Sequence, residues 1–334
     1  MGIMKAIIPV AGAGTKLRPH TYTQPKALIP LAGKTVLSVI IDQLIENGVQ
    51  EFIFIIGYLG EKIQNYVEVH YPEIKSNFVH QEDRKGTGPA ILLAKELVQN
   101  EEVIIVFGDT ICELDFKDFI ESKISCIGLH RVDNPGDFGV AQLNKKNRVL
   151  KVVEKPKMPK SNLAIVGIYK IIESALMFQC IEKNLKEQQG QDGEYHFTRA
   201  LQKMIDKGVE IKGVRVKNWF DCGKKETLLE TNSILLKKDN KVISTSSENM
   251  ENTIIIPPVR IGKNCTITNA IIGPSVSVGD NSTISNAIIK NSIIGSFSTL
   301  DEVVLKNSVI GSDVYIHGLS QSLNIGDNTE IDLR

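Results

Sequence analysis

The sequence predicts an α/β domain on a mixed, mostly parallel sheet, followed by a solenoid of short stacked strands. Three features carry this prediction. Between Lys5 and Phe107, short apolar runs alternate with segments of helical periodicity. A glycine-rich turn with clustered cations follows the first apolar run. Ile/Val-Gly dipeptides then recur through the last quarter of the chain.

Lys5–Val10 reads as the first buried strand. In Val36–Asn47, residues Val36, Leu37, Ile40, Ile41, Leu44 and Ile45 stand at helical spacing, and Gly48 is placed to end the helix. Glu51–Ile56 reads as a strand, Lys62–His70 as a helix, Phe78–His80 as a short strand and Ala90–Val98 as a helix. Val103–Phe107 is a strand ending at Gly108-Asp109. Such alternation predicts parallel strands joined by right-handed crossovers, with ligands at their carboxyl ends. Asp109 and the loop at Gly12 both fall at that edge.

From Cys126 the rhythm changes. Cys126–Arg131, Val140–Leu143, Val149–Glu154 and Leu163–Ile171 are strands without long helices between them, an antiparallel extension suited to covering a ligand. Helices at Ser174–Lys186 and Phe197–Lys207, a strand at Ile211–Val216 and a helix at Lys225–Lys238 complete a domain over residues 1–238. Residues 239–252 are polar and read as a linker.

The tail, 253–334, differs in kind. From Asn252 to Arg334 only 12 of 83 residues are charged, so its surface is poor in charge. The dipeptides begin at Ile261, Ile272, Val278, Ile294, Ile310 and Ile325, and the residue six further on is apolar each time. This is a hexapeptide repeat. One unit cannot bury its apolar face alone, so units stack. A sandwich of short strands is the competing arrangement.

Composition limits the functions open to the chain. Lys+Arg and Asp+Glu both number 39, a balance that offers no general pull toward nucleic acid or an anionic membrane. No apolar run approaches the ~18 residues of a membrane span. The start of the chain leads directly into a strand without a visible signal segment. Five scattered cysteines without metal-ligand spacing read as reduced thiols, and a cytoplasmic protein is expected.

In Gly12-Ala13-Gly14-Thr15, the glycines let backbone N–H groups turn toward an anion, and Lys16, Arg18 and Lys26 supply cations. A dinucleotide fingerprint fails because Leu17 stands at its last position, and a Walker A loop fails because Leu28 replaces its first glycine. By itself G-x-G also fits a plain βα turn with solvated lysines.

The whole segment, Gly12-Ala13-Gly14-Thr15-Lys16-Leu17-Arg18-Pro19-His20-Thr21-Tyr22-Thr23-Gln24-Pro25-Lys26, resembles the signature of the sugar-phosphate nucleotidyltransferases. That family usually has arginine where this chain has Lys16. Phe107-Gly108-Asp109-Thr110 and Trp219-Phe220-Asp221-Cys222-Gly223 are similar to its two metal motifs, so the resemblance implies Mg²⁺ on Asp109 and Asp221. Glu154-Lys155-Pro156 resembles its E-K-P, which implies that Lys155 holds the sugar phosphate and Glu154 the sugar. Asp137–Val140, containing Gly139, and Asn162–Tyr169, containing Val166, Gly167 and Tyr169, resemble the strands lining its sugar pocket. Asp192-Gly193-Glu194-Tyr195 resembles its G-E-Y segment. Gln81, five residues before Gly86-Thr87, matches a glutamine of the thymidylyl and uridylyl members. The tail resembles the left-handed parallel β-helix appended to many members.

The resemblance implies a Rossmann-like catalytic domain and a phosphoryl-group reaction. An oxygen of a sugar 1-phosphate attacks the α-phosphorus of a nucleoside triphosphate, and pyrophosphate leaves. Nucleotide contacts are implied for Gly12, Ala13, Gly14, Thr15, Arg18, Gln81, Gly86 and Thr87, and catalytic charge for Lys16, Lys26 and Lys155. The expected reaction is glucose-1-phosphate thymidylyl transfer from dTTP, with UTP as a second donor. Mannose-1-phosphate guanylyl transfer and a silent regulatory subunit are the alternatives. A homo-oligomer assembled through the β-helix is expected, because a short solenoid leaves open strand edges.

Overall fold

The computed structural model describes residues 4–187, 193–239, 243–244, 250–321 and 323–332. Asp192 and most of the expected linker lie outside the described residues. Contacts divide the chain into two compact units that interleave along the sequence. One comprises residues up to Gly12 with Ile40–Trp219; the other comprises Ala13–Val39 with Phe220 onward.

In the first unit, Lys5–Pro9 (β1) buries four of its five residues, as a strand covered on both faces must. It pairs in parallel with Glu51–Ile56 (β2), which in turn pairs in parallel with Lys75–His80 (β3). Gly60–His70 is the helix between β2 and β3. On its other side β1 pairs in parallel with Val103–Val106 (β4). The strand order therefore reverses at β1, giving a switch point between β1 and β4.

Beyond β4 the sheet turns antiparallel. Ser125–Arg131 (β5), Gly139–Leu143 (β6) and Val149–Glu154 (β7) precede Leu163–Ile171 (β8), which runs against β5 along one side and against β4 and β6 on the other. Ile211–Arg215 (β9) returns parallel to β5, so the extension is not wholly antiparallel. The expected helix over Ala90–Val98 is two pieces, Thr87–Leu92 and Lys95–Val98. At the joint the bonds tighten to Leu93 N–Ala90 O and Ala94 N–Ile91 O, ending the first helix. The core joins Ile7, Ile53 and Ile105 of the parallel strands to Phe178, Phe197 and Leu201 of the later helices.

In the second unit, Val259–Ile261, Val276–Val278, Ser292–Ile294, Val309–Ile310 and Asn324–Ile325 stack in parallel on one face. Two further faces stack likewise, also in parallel. Ile261, Ile267, Ile272, Val278 and Ile284 all point into the apolar interior, where the hexapeptide repeat places them. This is the left-handed parallel β-helix anticipated from the repeat. Its corners need left-handed backbone: Asn252, Asn269 and Asn286 form one column at φ 47, 50 and 49°. Their amides chain along it, Asn252 Nδ2 to Asn269 Oδ1 at 2.8 Å and Asn269 Nδ2 to Asn286 Oδ1 at 3.2 Å. Asparagine tolerates this conformation at low cost, which makes it a corner residue. The helix Lys225–Asp239 packs on the β-helix. Its Asn232 Oδ1 accepts from Ala32 N and from Ser277 Oγ, both at 2.9 Å.

Among the described residues, no helix is long and apolar enough to cross a membrane. The five cysteines are buried and unbridged, and burial pushes the Cys112 thiol up to about 12.

Candidate active site

The candidate residues fall into two groups, one in each unit. In the first unit, the chain leaving β4 presses on the chain leaving β1. Gly108 N donates to Pro9 O at 3.2 Å, and a Cβ on Gly108 would stand 2.3 Å from Val10 Cγ1. Only glycine permits that approach, and it sets half-buried Asp109 at the switch-point edge with exposed Gly12.

Gly167 breaks the register of β8 against β5 and takes φ +85°. Its carbonyl accepts from Phe107 N at 2.9 Å, while the carbonyl of buried Val166 accepts from Thr110 Oγ1 at 2.9 Å. The two residues thus brace the Phe107–Thr110 segment that carries Asp109. Tyr169 is 2% exposed and packs against Phe107 and Phe197, with ring centroids 5.6 and 5.0 Å away. Burial pushes its phenol far up. The structure therefore places Tyr169 in the core beneath the edge.

Glu154 Oε2 accepts from Thr198 Oγ1 at 2.9 Å, and Glu154 Oε1 lies 3.8 Å from His196 Nδ1. Glu194 Oε2 lies 3.6 Å from the other ring nitrogen. A Cβ on Gly139 would stand 3.0 Å from Glu154 Oε2, so strand β6 runs close beside this carboxylate. Exposed Lys155 holds φ 39°, and its N–H donates to Phe138 O at 3.0 Å. Left-handed backbone at a non-glycine residue is strain that the surroundings must sustain, and such strain clusters at functional positions.

Gln81 is 7% exposed, and its Nε2 donates to Asp83 O at 3.1 Å and toward Gly86 O at 3.5 Å. Its amide nitrogen spans the 81–86 loop, and the side-chain carbonyl takes part in neither bond. Thr87 Oγ1 accepts from Phe197 N at 2.9 Å, so this hydroxyl ties its helix to the next. His196 and Thr198 were not singled out from sequence. The G-E-Y segment immediately before them was the available signal.

The second unit holds Ala13, Gly14, Thr15, Lys16, Arg18, Lys26 and Asp221. Thr15, Lys16 and Arg18 are exposed. Gly14 has φ 62°, and its carbonyl accepts from Thr21 Oγ1 at 2.9 Å, closing the loop on itself. The Arg18 guanidinium lies 4.9 Å from the centroid of the Tyr22 ring. Lys26 Nζ lies 4.0 Å from Asp221 Oδ1, with the lysine side chain 18% exposed and the aspartate 45%. Asp221 is held just ahead of the helix Lys225–Asp239, its carbonyl accepting from Thr227 Oγ1 at 2.5 Å.

Far from these residues in sequence, His317 Nδ1 lies 3.0 Å from Asp301 Oδ2 and its Nε2 3.5 Å from Glu302 Oε2. The carboxylates sit on opposite ring nitrogens.

A sheet that reverses order beside a glycine-rich turn, with a carboxylate on the same edge, defines an α/β protein of the phosphate-handling kind. The chain belongs to the nucleotidyl transferase family, which matches residues 5–238. It is 39% identical over 253 residues to the bifunctional protein GlmU of Methanocaldococcus jannaschii, covering 75% of this chain and 59% of that one. It is 33% identical over 242 residues to the low-salt glycan biosynthesis nucleotidyltransferase Agl11 of Haloferax volcanii, covering 70% of this chain and 66% of that one. The chain thus spans about three-fifths of the length of the bifunctional relatives it matches. Among solved structures, a UDP-glucose pyrophosphorylase complexed with UDP-glucose shares its fold. The TM-score is 0.64 at 23% identity, covering 71% of this chain and all of that one.

Proposed function

We propose that this chain is a sugar-1-phosphate nucleotidyltransferase, joining a nucleoside triphosphate and a sugar 1-phosphate into a nucleotide sugar and pyrophosphate. The observation that carries the reading is the switch-point edge, where Gly108 packs on Pro9 and Val10 and sets Asp109 at the same strand ends as Gly12. A similar activity is named for a relative from Sulfurisphaera tokodaii, a bifunctional sugar-1-phosphate nucleotidylyltransferase/acetyltransferase, 34% identical over 260 residues.

The reaction brings two anions together, so positioning and charge neutralisation supply most of the rate. Lys155 holds and aligns the attacking sugar phosphate, with Glu154 and Gly139 at the sugar. Gly12, Ala13, Gly14 and Thr15 present backbone N–H groups to the triphosphate. Lys16, Arg18 and Lys26 balance the charge of the leaving pyrophosphate. Asp109 and Asp221 offer carboxylate oxygens only, the donor type that a hard divalent cation takes. Mg²⁺ bound to them would neutralise the α-phosphate and the leaving oxygens.

Within this class dTTP with glucose 1-phosphate is our preferred pair, and UTP a second donor. Gln81 is the reason: its buried side chain bonds Asp83 O through the amide nitrogen, a bond that leaves the side-chain carbonyl out. Thymine and uracil differ by one methyl, worth only ~1 kcal/mol in an apolar pocket. A matrix of five triphosphates against glucose, mannose, galactose and N-acetylglucosamine 1-phosphates, read by pyrophosphate release, tests the pairing. A best signal from GTP or ATP removes the role given to Gln81. No signal anywhere, with Mg²⁺ and folded protein, favours the silent regulatory subunit. The lysine at position 16 motivates that alternative, because lysine lacks the arginine fork. In an active enzyme, Lys16→Ala weakens triphosphate use more than sugar-phosphate use.

We also propose a homo-oligomer built on the β-helix. Ile254, Ile271, Ile288 and Val304 stack in register on one face, and three of them are 59%, 47% and 44% exposed in the order Ile254, Ile288, Val304. A column of aliphatic side chains facing water is the usual mark of a contact surface. Ile288→Lys lowers the sedimenting mass if this face is the interface.

A further inference from the structure

The second unit places the end of the β-helix against the cation-bearing loop. Asn324, at the start of the last short strand of its face, lies 2.7 Å by Oδ1 from His20 Nε2. The other end of the same amide, Nδ2, is directed at Arg18 O, 3.4 Å away. The amide orientation therefore makes Oδ1 the acceptor and His20 Nε2 the donor. One turn further, Thr23 Oγ1 donates to Asp327 Oδ2. Asp327 is itself fixed within the β-helix, because its Oδ1 accepts from Ser312 N at 2.7 Å. Between these two bonds Gly326 faces Pro19, close enough that an added Cβ would stand 3.4 Å from the proline.

Three consecutive points of one coil thus grip Arg18, Pro19, His20 and Thr23. His20 is 6% exposed, so its side of the grip is buried, while Asn324 and Arg18 stand at the surface. The gripped residues lie inside the segment that carries Lys16, Arg18 and Lys26. Apart from the Thr21–Gly14 closure and a long contact from Thr23 Oγ1 to His20 O at 3.4 Å, the short 3₁₀ turns at Thr15–Leu17 and His20–Tyr22 have no side-chain cap at their N-termini. Such turns are weak on their own. An outside brace is what gives them a single conformation.

We propose that the last coil of the β-helix is a clamp on this loop, with Asn324 and Asp327 as positioning residues for the nucleotidyl transfer proposed above. Neither residue touches substrate. Each sets the backbone from which Arg18 and its neighbouring cations reach the triphosphate. A displacement of about 1 Å in such groups is enough to cost large factors in rate.

The test compares Asn324→Ala and Asp327→Ala with Asn281→Ala, a corner asparagine of the β-helix whose Oδ1 accepts from Asn264 Nδ2 of the neighbouring coil at 3.1 Å. Without substrates, hydrogen exchange over residues 17–24 rises in the two clamp variants and stays at the wild-type level in Asn281→Ala. In kinetics, the clamp variants raise KM for the triphosphate about tenfold or more while KM for the sugar 1-phosphate stays unchanged. Asp327→Asn keeps an acceptor oxygen for Thr23 and retains most of the wild-type behaviour. Unchanged exchange over 17–24 overturns the clamp. Raised exchange with wild-type kinetic constants overturns its catalytic role. A wild-type protein that transfers no nucleotide with any pair removes the proposed function instead, and the exchange result still decides whether the coil holds the loop.

Discussion

The nine-stranded sheet and the β-helix are both stacks with aliphatic interiors, yet they keep their left-handed backbone in different places. In the β-helix it is periodic. Asn252, Asn269 and Asn286 recur at one corner, and Asn291 and Asn307 at another, where Asn291 Nδ2 donates to Asn307 Oδ1 at 2.8 Å. Most non-glycine left-handed corners there are asparagine or aspartate, with Ser275, Phe297 and Glu302 as exceptions, and the asparagines of neighbouring coils share bonds. In the sheet unit the same conformation is local. Gly167 at +85° braces the Asp109 segment, and Lys155 at 39° follows Glu154 directly. Periodic left-handed backbone is scaffold; in the sheet unit it is scattered, at Leu59, Gln99, Asn100 and Asn147 as well as at Lys155, so it is the neighbouring candidate residues and not the conformation alone that single out Gly167 and Lys155.

The strongest way to break this comparison is to remove the chemistry without touching the backbone. Asp109→Asn and Asp221→Asn each lower turnover by about 100-fold or more, while the thermal midpoint barely moves. Either variant retaining over a tenth of wild-type activity at saturating Mg²⁺ ends the metal assignment. Gly167→Ala tests the isolated conformation. Its Cβ would stand 2.7 Å from Thr110 Oγ1 at a φ that alanine avoids. It should cost about 1–3 kcal/mol in denaturant unfolding, and activity should fall further than stability explains.

Asn286→Ala and Asn286→Gly then sharpen the periodic side. The alanine loses the bond from Nδ2 to Asp301 Oδ1, 3.0 Å, and sits at an unfavourable φ. A cost of about 1–2 kcal/mol follows. The glycine relieves the backbone term and costs less. Equal costs for the two would mean that the corner is held by its side-chain ladder alone.

The smallest effect is at His20. Burial lowers its pKa, against the raising influence of its bond to Asn324 and the charge of Asp327. Below the ordinary histidine value of about 6.5 the unfolded chain therefore binds more protons than the folded one, and stability decreases as the pH is lowered. Above that value the effect is absent. His20→Gln keeps a donor for Asn324 but cannot be protonated. Its thermal midpoint should drop less than that of the wild type between pH 7 and pH 5, and parallel curves would show that His20 does not titrate in this window.

The order of strands and helices, the coil repeat and the site motifs were legible in the sequence because each depends on local periodicity or on adjacent residues. Ile261 and Ile267 announce an inward pair whatever lies beyond them, and Gly108-Asp109 announces a strand end with a carboxylate. Other features carry no such signal. Tyr169 stands in a strand that lines the edge, yet only packing against Phe107 and Phe197 decides that its ring is core. Gln81 looks like a surface amide until Asp83 O and Gly86 O come within reach. Residues 13–39 follow the first strand in sequence but group by contact with the chain from Phe220 onward. His20 meets Asn324 across 304 positions. A hydrogen bond needs its partner in place, and no window of sequence holds both ends of that bond. Only the folded chain brings them together, because the position of the last coil is the sum of every coil stacked before it.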